Sequence, residues 1–217
     1  MNLLIPYVNL VGHEDPCFKE YTYGDVGMRA RRLKKLKRGD YLFFHIGYGG
    51  KKYITAYYVV DRILDVSDVI KDKNIFAKYK NPHINEHSSN VSKRQNDNVI
   101  VFGDPITSKV FLERPLLFDK KLVRKLSLRV KFPPERTEAQ SIGSATRSSR
   151  ELSGKDTETL FDEIEKTEKT PVSNDMISTE EVTEVLERDL ESLIEKNPQQ
   201  IGLSTKVIRL LLRICAT

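Results

Sequence analysis

Residues 41–46 and 53–64 are two runs crowded with aromatic and β-branched side chains, and only Gly47-Tyr48-Gly49-Gly50 and two lysines separate them. Such side chains suit the pleated, half-buried surface of a sheet, and a glycine-rich joint supplies the positive φ angles of a tight reversal. The pair predicts an antiparallel hairpin joined through 47–50. Around it, residues 3–11 are apolar enough for a strand buried on both faces, and 99–102 and 116–118 read as shorter strands. Helical spacing is seen at 26–36, where Val26, Ala30, Leu33 and Leu36 recur and Asp25 is a candidate cap, and at 119–126. This mixed order, dominated by strands, predicts an α+β fold: a small curved mixed sheet or pseudo-barrel with helices at its edges.

The 217 residues have room for one full domain and an appendage. From residue 133 onward Ser, Thr, Glu, Arg and Lys dominate, which predicts a basic domain over 1–132 and a disordered acidic linker over 133–177. A helical tail is expected over 178–217. Ser178-Thr179-Glu180-Glu181 is a capping-box pattern, and Val182, Val185, Leu186, Leu190, Leu193 and Ile194 form one face before Asn197-Pro198. The polar stretch 81–98 lacks a clear period and reads as a long loop or irregular helix, an element of the kind that borders a site. The apolar runs, such as Tyr41–Phe44, are too short to span a bilayer, and the N-terminus lacks the pattern of a signal peptide. Cys17 and Cys215 are isolated, which fits a cytoplasmic protein better than a disulfide framework.

Charge divides the chain. Residues 1–150 carry 28 Lys and Arg against 16 Asp and Glu, a net of +12, whereas 151–195 carry 4 against 15, a net of −11. A basic domain calls for a polyanionic partner, here nucleic acid or a modified nucleotide, and nothing predicts a membrane anchor. The densest basic stretch is Arg29-Ala30-Arg31-Arg32-Leu33-Lys34-Lys35-Leu36-Lys37-Arg38. On a helix, Arg31, Lys34, Lys35 and Arg38 share a face, and Arg29 and Arg32 add to the phosphate-binding set. The plainer reading is a solvated face with snorkelling stems. The acidic linker is in turn a candidate for intramolecular contact with this basic face.

Tyr21, Tyr23 and Phe44 belong to a group of rings around these bases, suited to stacking on a base. His13, Asp25, Asp40 and His45 are available to read its edge, and Ser108 and Lys109, after Gly103-Asp104-Pro105, to meet an anion, although a loop-to-strand turn is the plainer account of that pair. Alternation along strands sends about half of such rings into a core. The spacings His13/Cys17 and His83/His87 suggest a metal only weakly, since Asp-Pro interrupts the first and the second sits in the polar loop. No metal and no cofactor are expected. Walker, GxGxxG, Gly-x-Ser-x-Gly and HExxH motifs are absent from the sequence. Two other readings stay open: a nucleotide- or base-modifying enzyme using Asp25 or Asp40 as acid/base, and a non-catalytic interaction domain.

The string His13-Glu14-Asp15-Pro16, Phe18, Tyr21-Thr22-Tyr23-Gly24-Asp25, then Leu33, Leu36 and Gly39-Asp40-Tyr41-Leu42-Phe43-Phe44 resembles the third of the nucleotide-modification-associated domain families. The strand at 53–60 and Val101-Phe102-Gly103-Asp104-Pro105 with Ser108-Lys109 continue the resemblance, which spans about the first 130 residues. It implies a setting in which modified nucleotides are made, sensed or removed, and a common site region for Asp15, Tyr23, Asp25, Asp40 and Ser108. Residues 185–198, followed by Ile201, are similar to the opening helix of a NucS-type endonuclease domain. That family continues into metal-binding strands, which do not follow here, so a truncated tail without nuclease activity is expected.

Overall fold

The computed structural model describes residues 1–8, 14–84, 98–110, 112 and 114–169. The expected hairpin is its centre. Strand β3 (Tyr41–Tyr48) pairs antiparallel with β4 (Lys51–Asp65). Gly49 and Gly50 close the turn with φ of 53° and 74°, so Gly47 and Tyr48, expected in the joint, extend the strand instead. Positive φ at both turn positions gives a reversal whose twist matches the flanking strands. Strand β1 (Asn2–Pro6) lies parallel to β3 and is buried on both faces, Leu3 and Ile5 toward one core and Leu4 toward the other.

β4 is 15 residues long because it serves two halves of the sheet. Its first part pairs with β3, and after a bulge between Val60 and Arg62 its end pairs with β5 (Asn98–Gly103). Strand β2 (Thr22–Val26) borders β5, and the two-residue β6 (Leu116–Leu117) pairs with the start of β4. With β7 (Arg150–Leu152) on β1, the order is β2-β5-β4-β3-β1-β7. The sheet is curved but open, so the fold is α+β without barrel closure.

Helix α1 (Gly27–Leu33) follows β2 directly. It is shorter than the pattern at 26–36 predicts, and Val26 is its N-cap; Asp25 makes no capping bond. Ala30, Leu33 and Leu36 join Leu42, Phe44, Ala56 and Tyr58 in the first core. Two short helices unread in the sequence, α2 (Val66–Lys71) and α3 (Lys73–Lys78), cover a third apolar cluster with Val66, Val69, Ile100 and Phe102.

The largest departure lies beyond residue 132. After α4 (Lys120–Val123), the short helix expected at 119–126, the chain forms α5 (Glu138–Ala145), β7 and α6 (Gly154–Lys169) in place of a disordered linker. Ile142, Leu152, Leu160 and Ile164 complete the second core with Leu4, Phe43 and Ile54. Phe161 packs at 5.0 Å from Tyr41, 5.3 Å from Phe43 and 5.0 Å from Tyr57. The folded body therefore reaches at least Lys169, because a sheet face as apolar as Leu4, Phe43 and Ile54 needs a cover that 1–132 alone does not provide. The tail helix expected from Ser178 lies outside the described residues.

Candidate nucleic-acid interface

Two features meet where β2 runs into α1. The first is the cationic segment. Arg29, Arg31, Arg32, Lys34, Lys35, Lys37 and Arg38 are all exposed, while Ala30, Leu33 and Leu36 turn inward. The three-residue recurrence of the apolar positions accounts for this division. Part of the charge is held locally: Lys34 pairs with Asp65 at 2.6 Å and Arg38 with Asp61 at 3.3 Å. Arg32 donates to the Ser149 carbonyl and, at 3.0 Å, to its hydroxyl. The two ion pairs are largely exposed and so contribute little to stability. A phosphate can replace such acidic partners at small cost.

The second feature is a knot of buried polar groups at Asp15, Tyr23, Asp25, Asn81 and His83. Asp15 accepts hydrogen bonds from the Gly24 amide at 3.0 Å and the Asn81 amide at 2.9 Å, and lies 3.4 Å from His83 Nε2. The Tyr23 hydroxyl donates to Asp25 at 3.0 Å, and Asp25 also accepts from the Val26 amide at 2.8 Å. The His83 ring lies so close to the backbone of β2 that a Cβ at Gly24 would sit 2.4 Å from it. Glycine at 24 is thus a condition for the imidazole to reach Asp15.

Burial pushes the Asp25 carboxyl above its ordinary value, against the opposing pull of the Val26 and Tyr23 hydrogen bonds and of Arg29 and His83. Burial, with Asp25 and Asp15 nearby, also raises Tyr23. A carboxyl raised on folding stabilises the fold fully below its unfolded value and loses that contribution as pH rises through the folded one. Asp25→Asn is therefore expected to lose less stability at pH 7 than at pH 3.5, or to gain some, in urea unfolding at the two pH values. A larger loss at pH 7 would show the ionised form to be the stabilising one.

The structure divides the remaining site residues expected from the sequence. Tyr21 has a left-handed backbone, φ 54°, and its ring lies 6.0 Å from Tyr58. Phe44 is fully buried against Tyr23 and Tyr58, so it has no face for a base. Asp40 is set in a separate arrangement, accepting from the Lys37 amide at 2.6 Å and pairing with the Met1 ammonium at 2.8 Å. The Ser108 hydroxyl accepts from the Val59 amide at 2.9 Å, and Lys109 pairs with Glu168 at 2.5 Å. These three are anchored elsewhere, each by the partners just named. His13 lies outside the described residues. Asn81 and His83 are the members the motif did not name. The absence of a side chain at Gly24 is a trace of them in the sequence, but the partner lies some sixty residues away.

Acidic residues of α6 find other partners than α1: Glu163 pairs with Lys125 at 3.0 Å and Glu168 with Lys109. The acidic residues from 170 onward lie outside the described residues. Among the described residues no group of three His, Cys, Asp or Glu is placed to hold a metal ion, and no helix is long and apolar enough to cross a membrane.

The model of the family called nucleotide modification associated domain 3 matches residues 8–184. The chain belongs to this family. The match extends beyond residue 132 and includes α5, β7 and α6, in keeping with their place in the body. No curated protein matches the chain. Among solved structures, the ASCH protein of Zymomonas mobilis is 12% identical with a TM-score of 0.38, over 74% of this chain and 94% of its own. A hypothetical protein from Leishmania major is 16% identical with a TM-score of 0.42, over 77% and 96%. Human THYN1, solved in complex with DNA containing 5-methylcytosine, is 14% identical with a TM-score of 0.39, over 78% and 99%. At these scores they are loose likenesses of chain path and carry no weight for function.

Proposed function

We propose that this member of the family binds nucleic acid or a modified nucleotide, holding phosphates on the cationic face of α1 and its C-terminal extension. The observation that carries the reading is the outward orientation of all seven bases between residues 29 and 38, with no acid in that stretch. Like charges concentrated in this way repel one another, and a phosphate backbone relieves the repulsion while releasing its own counterions. Tyr23 and Asp25, the members of the buried knot that lie in β2, immediately precede this face, and base recognition is assigned to the vicinity of the knot. Reading by Phe44, Asp40, Ser108 or Lys109 is not part of the proposal, since each is committed elsewhere. The reading of Asp25 or Asp40 as the acid/base of a modifying enzyme is not taken up, since Asp25 is held by Tyr23 and the Val26 amide and Asp40 by the Lys37 amide and the Met1 ammonium.

Replacing Arg31, Lys34, Lys35 and Arg38 together by Ala tests the reading. Affinity for a short duplex at low salt is expected to fall at least tenfold. The dependence of log K on log salt should become shallower by up to about 3.6, if each of the four contacts contributes roughly 0.9. Unchanged affinity and slope in a fluorescence anisotropy titration would remove α1 from the interface.

A further inference from the structure

Away from α1, the tip of the β3–β4 hairpin and helix α5 enclose an open cleft of about 1000 Å³. Lys51, Lys52, Arg136 and Arg147 line it, against the single acid Glu135. Lys52 is the unusual member. It is half-buried, and among the described residues its ammonium makes no ion pair or hydrogen bond. Two glycines make room for it: a Cβ at Gly47 would lie 2.9 Å from its Nζ, and one at Gly143 would lie 3.3 Å from its Cε. The site thus holds a lysine in place without the carboxylate that ordinarily accompanies a buried one. The buried ring of His45, near Lys52, stays neutral and so adds no second positive charge, and both its nitrogens are without a hydrogen-bond partner.

We infer that this cleft is a second anion site, built to take the phosphate of a nucleotide. Lys52 meets the phosphate from the floor, and the exposed guanidinium groups of Arg136 and Arg147 close on it from α5 and its flanks. A phosphate needs only a small part of a cleft this large; clefts of roughly 300–1000 Å³ ordinarily hold a whole small ligand, so the organic part of the ester has room beside Tyr48. Burial lowers the Lys52 ammonium from its ordinary value, and a bound anion offsets that cost. The site is independent of the proposed interface, since α1 contributes no residue to its lining.

The experiment is calorimetric titration of the full chain with adenosine 5′-monophosphate, adenosine and inorganic phosphate. The monophosphate should bind at least tenfold more tightly than adenosine, and inorganic phosphate should compete with it. Lys52→Met should weaken the monophosphate at least tenfold. Because a half-buried change can disturb folding, the exposed pair Arg136→Ala/Arg147→Ala is titrated as well, with melting as the control; it too should weaken binding. The four-alanine variant of α1 should keep the affinity for the monophosphate even where its duplex binding is lost. Adenosine binding as tightly as its monophosphate, absence of competition by phosphate, or full affinity in the Arg136/Arg147 variant would overturn the assignment. Loss of monophosphate binding on changing α1 alone would place the anion there instead.

Discussion

Acidification from pH 7 to pH 4 is expected to weaken this fold by about 3 kcal/mol through His45 alone. The ring lies in β3 at 1% exposure, packed edge-on to Phe118 at 5.4 Å, with neither nitrogen hydrogen-bonded. Burial first, and then the Lys52 charge, lower its value from 6.5 to about 3. Because the folded value lies below the unfolded one, the contribution is whole above pH 6.5 and is lost as pH falls toward 3. His45→Phe removes the titrating group and keeps an aromatic ring at the site. The difference in unfolding free energy between variant and parent, from urea titrations, should move in the variant's favour by about 3 kcal/mol between pH 7 and pH 4. An equal difference at both pH values would mean that His45 finds a proton acceptor or water in the folded state.

The second large effect is expected at Asp156. Its carboxylate, 2% exposed, accepts from the amide and hydroxyl of Ser127 at 2.6 and 2.5 Å and from those of Ser153 at 2.8 and 2.7 Å. Burial tends to raise the group, but the hydrogen bonds from Ser127 and Ser153 outweigh it and hold the carboxyl below its ordinary value. Its stabilisation is therefore present above the usual carboxylate range and is lost as pH falls. Asp156→Ala removes the reciprocal cap that starts α6 and its tie to the segment after α4. A loss of about 3 kcal/mol is expected, or roughly 6–12 °C in melting temperature. Hydrogen exchange should quicken in 154–169 before it does in β3 and β4. An unchanged melting temperature would fit a dispensable linker and contradict the place of α6 in the core.

That same helix shows where the sequence was hard to read. The hairpin was plain because its aromatic runs and glycines carry their signal locally, and β1 was plain because it is apolar throughout. From residue 133 the average composition is polar, yet only a narrow stripe, Leu160, Phe161 and Ile164, is needed to dock α6. Two local signs stood against disorder: Thr137 with Gln140, and Ser153 with Asp156, each form reciprocal bonds between side chain and backbone at a helix start. Ser178-Thr179-Glu180-Glu181 carries the same kind of sign, but over 133–177 the prevailing charge masks it. At the site, the Tyr23-Gly24-Asp25 motif marked half of the buried knot. Asn81 and His83 reach it only through the tertiary fold, and periodicity within a polar stretch carries no trace of such a contact. Nothing in the local sequence sets Lys52 apart, because the glycines that accommodate it, at 47 and 143, lie on different elements.

The route from β4 to β5 has a consequence for how this family can diversify. These strands are antiparallel neighbours whose register is set by their own pairing, Leu64 with Ile100 and Asp65 with Val99, yet 32 residues lie between them where a tight turn would suffice. That interval brings Asn81 and His83 to Asp15. Closing a longer or shorter interval costs little, since each doubling of loop length adds only about 0.6 kcal/mol. The sheet can thus stay constant while the residues that reach Asp15 are exchanged as a cassette, and under the proposed function a change of ligand would not require a change in any strand.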